Sequence, residues 1–340
     1  MKHKDIIALR FGVVVPVVVL MTILLAFPSW ASAQGSGALP GVWNPFAGPV
    51  IRHVERTVLH DNIAHYTYDV RVGPGQSDAI RLHRVVRERH PYQPISTIDG
   101  VLLLPGAPNS VEMIFVEPLI SEVPAWDHSV TAFLAKNDID VWGMDYRWAL
   151  VPATQQDFTF MKDWDLQRDI RDTEIALSLA RTIRWMTGPG GGQLHLLGFS
   201  WGLQVAYGVA GDETQKPPGH RSVKGLIPVD SFLKTDNEAE RVATCAGVEY
   251  EQGLLDSGVY RNDGGVFLKS VGDLAKSDPY GESPLAPPFT NFQFALLAGA
   301  GFVGGYFDES GVPTGLRYTD PELWVDALRA VPPYVPTQAL

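Results

Sequence analysis

Gln193-Leu194-His195-Leu196-Leu197-Gly198-Phe199-Ser200-Trp201-Gly202-Leu203 is the stretch on which the fold turns. Its first half, 193–197, is a short apolar run of the kind that forms a strand buried on both faces of a parallel sheet. Gly198 and Gly202 bracket Ser200 two residues to either side, and Leu203 opens a helical pattern over 203–210. A Gly-x-Ser-x-Gly run alone is weak evidence. Between a buried strand and a helix it describes a sharp elbow that lifts the serine hydroxyl clear of the sheet, with glycines where a side chain would obstruct the turn.

The sequence around this elbow repeats its rhythm. Residues 51–59, 64–72 and 79–86 are β-rich and separated by polar or Gly-Pro-Gly turns, which predicts an antiparallel meander. Residues 100–104 form a second buried strand ended by Pro105-Gly106, and 139–144 and 223–229 are two more. Between them 129–136 is helical, and 164–186 carries Ile170, Ile175, Leu177, Leu179 and Ile183 at helical spacing. Strands alternating with helices predict an α/β protein with a mostly parallel, doubly wound sheet. Beyond Ser231 the rhythm breaks: 237–248 and 293–300 look helical, Gly and Pro are frequent, and no βα unit follows. We therefore expect a core over 34–230 and a mainly helical cap over 231–340, with 331–336 as the way out of that cap.

At the N-terminus, Lys2, Lys4 and Arg10 precede an apolar run over 11–27 and then Ala31-Ser32-Ala33. This is the pattern of a secretory signal peptide, residues 1–33, cleaved before Gln34. An uncleaved anchor helix is the alternative. With 45% apolar and 19% charged residues, the body has the balance of a packed globular protein. A net charge of −11 and the lack of any Lys/Arg-rich run exclude a nucleic-acid footprint or an anionic-membrane surface. Cys245 is the only cysteine, so no internal disulfide exists, and its simplest place is a small buried apolar position. No His/Cys/carboxylate cluster has the spacing of a metal site, and no cofactor is expected.

A serine hydroxyl is a poor nucleophile unless a base holds its proton and donors wait for the oxyanion it creates. The Trp201 N–H, at the start of the predicted helix, is one expected donor. The second is expected from Pro105-Gly106-Ala107-Pro108, where Ala107 is favoured because Pro105 and Pro108 have no N–H.

These features resemble the α/β-hydrolase superfamily over residues 50–230, and Asp140-Val141-Trp142, Gln193-Leu194-His195 and the elbow look like its acid-lipase branch. The resemblance implies an ester-hydrolysing Ser-acid-His enzyme with a helical cap inserted after the sixth strand. Pro105 stands where the superfamily often has His before the oxyanion-loop glycine. Phe199 stands where lipases often have His before the serine. Neither is a triad position, so the departures bear on substrate preference.

The superfamily order is Ser, acid, His, yet only His220 follows Ser200, in a loop at the wrong end of the sheet. His128 reads as a helix-face residue and His195 as a core histidine. Asp230, ending the 223–229 strand, is either the acid or a loop-capping residue. Asp145 and Arg147 read as a structural ion pair or loop anchor. The expectation is a chain truncated before its base. The function expected is an exported carboxylic-ester hydrolase with Ser200 as nucleophile, acting on a small apolar ester suggested by 289–294 and 296–302. No nucleic-acid partner and no stable membrane insertion after cleavage are expected. A non-catalytic relative that binds a lipid or protein partner is the alternative.

Overall fold

Strands β1 (Val50–His60), β2 (Ile63–Arg71) and β3 (Ala79–His90) form the antiparallel meander predicted from the β-rich opening. The two-residue β4 (Gln93–Pro94) pairs with the end of β3. Strands β5 (Asp99–Leu104), β6 (Ile139–Asp145), β7 (Leu194–Phe199) and β8 (Val223–Val229) then run parallel. The eight-stranded sheet has the order β1-β2-β3-β6-β5-β7-β8, with β4 beside β3. The computed structural model describes residues 48–116, 129–188, 190–230, 234–303 and 321–339. Residues 1–33, read as a signal peptide, lie outside the described residues. Among the described residues no helix is long and apolar enough to cross a membrane.

Helices cover both faces of the sheet, which is why β5 and β6 are continuous apolar runs and not alternating ones. On one face pack α2 (Leu166–Thr187) and α3 (Trp201–Gln215), with Ile170, Leu177, Ala180, Val205 and Val209 joining the cluster that holds Leu102, Leu104, Trp142 and Leu196. On the other, α1 (Val130–Lys136) and residues 111–116 cover Val101, Leu103 and Val141. Local signals set the helix ends: the Ser129 and Asp165 side chains accept the N–H groups of Ala132 and Arg168, and Gly188 ends α2 at φ 104°.

Two buried polar clusters lie within this frame. Asp140 is fully buried and receives two hydrogen bonds from Arg84 (Nε 2.9 Å, Nη2 2.8 Å) and one from Arg184 (Nε 3.1 Å). Arg84 also lies over the Trp142 ring at 4.9 Å. On the α1 face, His83 Nε2 meets Asp145 Oδ2 at 2.9 Å, and His83 Nδ1 meets His65 Nε2 at 2.9 Å. Burial, reinforced by His83, pushes the His65 imidazole down to about 3. A folded-state value below the unfolded one means that the unfolded chain takes up the proton first. The stability His65 contributes is therefore complete above about pH 6.5 and is lost as pH falls towards 3. His65→Gln keeps a donor for His83 but does not titrate. Urea titrations at pH 6.5 and pH 4 should show wild type losing about 3 kcal/mol more than this variant; equal losses would refute the buried neutral imidazole.

Beyond β8 the chain is mainly helical, with α4 (Glu238–Asp256), α5 (Gly264–Ser277), α6 (Asn291–Val303) and α7 (Pro321–Ala330). The stretches 237–248 and 293–300 anticipated α4 and α6, whereas α5 and α7 were not foreseen. Helices α5, α6 and α7 share a core of Leu268, Val271, Ala295, Trp324 and Leu328. Helix α4 buries none of its residues, so Cys245 is exposed, contrary to the buried position expected of it. Residues 331–336, read as the way out of the cap, lead back to the main body. Strand β10 (Val335–Pro336) pairs with β9 (Arg261–Asn262), Tyr334 and Val335 join the main core, and the Tyr334 hydroxyl donates to the Ala153 carbonyl at 2.9 Å. Arg261 stacks on Phe158 at 4.1 Å beside Tyr334 and completes this return.

Candidate active site

Ser200 occupies the one residue between β7 and α3, at φ 51° and ψ −119°. A non-glycine residue is rarely found there, and it persists only where its surroundings over-determine it. Three sets of contacts do so. The Ser200 N–H donates to the Val229 carbonyl of β8 at 3.1 Å, and the Ser200 carbonyl accepts the Leu203 N–H at 2.9 Å. A Cβ on Gly198 would fall on the Gly202 carbonyl oxygen, and one on Gly202 would fall on the Leu104 carbonyl oxygen. A Cβ on Gly106 would lie 2.7 Å from the Ser200 Cβ. The strand, the helix and the loop after β5 thus meet on this serine, with glycine at each close approach.

A serine in the N-cap position ordinarily places its oxygen on an N–H of its own helix. Ser200 makes no such bond, so its hydroxyl is not engaged in capping. Trp201 is the first residue of α3, where the backbone N–H has no intrahelical acceptor and the helix dipole favours negative charge. Ala107 follows Gly106 on the loop packed against the serine and is half-buried. Both expected oxyanion donors therefore belong to segments that meet at Ser200.

Behind Trp201 lies a group that the sequence did not single out. The Trp201 indole Nε1 donates to Asp169 Oδ2 at 3.0 Å, and both residues are buried. Asp169 lies in the first turn of α2. Desolvation pushes its carboxyl up to about 8, against the pull of the indole hydrogen bond. Arg147 takes its neighbour Asp172 in a two-pronged pair (Nε 2.5 Å, Nη2 2.8 Å) and also reaches Asp78. Asp145 and Arg147 do not pair with each other: Arg147 ties the end of β6 to α2, while Asp145 holds His83 and the Val111 N–H at 2.7 Å. Burial opposes ionisation of Asp145, but His83 and the Val111 N–H together keep its carboxyl below the usual carboxylate range.

Asp230 ends β8 at φ 53° and is exposed. Phe199 pairs with Val229, so Asp230 is level with Ser200 one strand away, about 5 Å in sheet spacing. No described histidine joins them. His220 is exposed at the opposite end of the strands, ahead of β8. His195 is half-buried and not a core residue, since it shares Asp99 with Lys224 at the N-terminal ends of β5 and β8. His83 stands on β3, three strand spacings or about 14 Å from β7. His128 lies outside the described residues.

A cleft of about 710 Å³ opens beside the end of β6, lined among others by Asp78, Arg147, Phe160, Trp164 and Arg168. Ser200 is not among the residues that line it.

This arrangement of sheet and elbow has a counterpart among solved structures. That of a candidate lipase from Sulfolobus solfataricus matches with a TM-score of 0.56 at 21% identity, covering 85% of this chain and 77% of that one. The chain has the α/β-hydrolase fold. Weaker likenesses at this fold level include brefeldin A esterase, a bacterial homologue of human hormone-sensitive lipase (TM-score 0.34, 15% identity, 55% of this chain and 46% of that one). Another is juvenile hormone epoxide hydrolase from the silkworm Bombyx mori (TM-score 0.35, 13% identity, 79% and 57%). No protein-family model and no curated protein matches the chain. Ser200 stands at the strand-to-helix elbow of this fold, between β7 and α3.

Proposed function

We propose that this chain is an exported serine hydrolase that cleaves carboxylic esters of apolar substrates through an acyl-enzyme on Ser200. The observation that carries the reading is the geometry of Ser200, a non-capping serine in a left-handed conformation at the elbow, with Gly106 of the β5 loop against its Cβ. Its Oγ attacks the ester carbonyl carbon, and its proton passes to a base outside the described residues. The N–H groups of Trp201 and Ala107 receive the oxyanion. The alkoxide leaves with that proton, and water then releases the acid and restores the hydroxyl. In this reading Asp230 is the acid that orients an incoming imidazole, which its exposure one strand from Ser200 supports. Residues 34–230 form the core of this reading and 231–340 its cap, whose apolar surface includes the exposed Phe289 and Phe267.

A nitrophenyl ester tests the proposal. The purified chain should turn it over slowly, and Ser200→Ala should reduce the rate to the uncatalysed background. Added imidazole should raise the Ser200-dependent part by about tenfold, a fraction of what a positioned general base supplies. A normal enzymatic rate without imidazole would show that the chain itself supplies the base. No Ser200-dependent turnover under any condition would favour a non-catalytic binder.

A further inference from the structure

We propose that Asp169 is a positioning residue for the oxyanion site: through the Trp201 indole it fixes the start of α3, and it must be uncharged to let an oxyanion form there. The inference rests on the hydrolase reading of Ser200. Trp201 contributes two groups to two places, its backbone N–H beside the nucleophile and its indole N–H to Asp169, 3.0 Å away on α2. One hydrogen bond therefore links the first turn of α2 to the residue that follows the serine.

The chemistry of Asp169 separates this role from simple packing. A buried carboxylate needs a cation or several N–H donors. The cation that acts on it, Arg147, gives its fork to Asp172 and its remaining nitrogen to Asp78. Asp169 has the uncharged indole as its side-chain partner. The charged groups acting on it are the acids Asp165 and Asp172 on its own helix and Arg147 from the end of β6, where the buried Tyr146 hydroxyl also lies. Burial disfavours the charged form, and Asp172 and Asp165 add to it against Arg147 and the indole, so the neutral form is favoured well above the usual carboxylate range, to about 8. A neutral carboxyl accepts the indole proton without opposing negative charge at the helix start. Once ionised it sets a like charge behind the oxyanion, with little water between.

Three variants test the proposal by the rate at which a fluorophosphonate captures Ser200 and by the Trp201 indole N–H resonance, assigned with Trp201→Phe. Asp169→Asn keeps the acceptor and loses the charge. Its capture rate should match wild type below pH 7 and exceed it progressively above pH 8, by about tenfold at pH 9. The indole resonance should titrate near pH 8 in wild type and not in D169N. Asp169→Leu should slow capture at least tenfold. A D169N-to-wild-type ratio that is flat from pH 6 to 9, or a folded D169L captured at the wild-type rate, overturns the proposal while leaving the hydrolase reading intact. If D169L does not fold, the D169N ratio decides. A wild type that is never captured overturns the hydrolase reading and this inference with it.

Discussion

Ser200→Gly is expected to abolish covalent capture by a fluorophosphonate and yet to stabilise the chain by about 1 kcal/mol. Ser200 stands at φ 51° and ψ −119°, where a side chain costs roughly 1–3 kcal/mol. Glycine removes that strain, but it also loosens the unfolded chain, which offsets some of the gain. Ser200→Ala removes the hydroxyl and keeps the Cβ, so it should lose capture without gaining stability. The pair separates reactivity from strain, and urea midpoints at unchanged slope report the second. If glycine leaves the midpoint at or below that of alanine, the elbow is not strained. If either variant is still captured, the nucleophile lies elsewhere.

Asp140→Ala should be the most damaging single substitution in the sheet, at about 3–5 kcal/mol. It removes the carboxylate shared by Arg84 and Arg184 and leaves two guanidinium groups, each almost fully buried, with no countercharge between them. Replacing the whole cluster with Met at 84, Leu at 140 and Met at 184 should restore most of the loss, because the cost comes from the orphaned charges and not from a missing attraction. Chemical denaturation of the single and triple variants measures both. A single variant within 1 kcal/mol of wild type would mean that water reaches the cluster.

Asp140 also illustrates what the sequence makes legible. It sits in the 139–144 run, and that run is readable as a strand because apolar neighbours outvote one acid. That the acid is buried between two arginines from distant elements is a tertiary fact with no local signal. His65 and His83 alternate with apolar residues along β2 and β3 as a solvent-facing set would, yet residues 111–116 and α1 cover them. Helix α5 was missed because Gly264, Gly265 and Gly272 read as breakers. In the fold, Gly265 admits the Pro332 carbonyl and Gly272 admits the Val325 carbonyl and the Arg329 side chain of α7. Helix α7 did carry a start signal, Pro321 followed by Glu322, which the surrounding Gly and Pro obscured. Ser200, Trp201, Ala107 and Asp230 were readable because a strand-to-helix elbow and the strands beside it fix where such residues must lie. Asp169 was not, since nothing in a helix marks which of its acids will face the sheet.

The return of Tyr334 and Val335 to the main core has a topological consequence. The helices after β8 are pinned at both ends to the same body, one through the sheet and one through Arg261, Phe158 and Tyr334. A segment held this way cannot drift off as a tail would. Its surface stays at high effective concentration near its anchors, and its excursions are short loop motions with a small entropic cost.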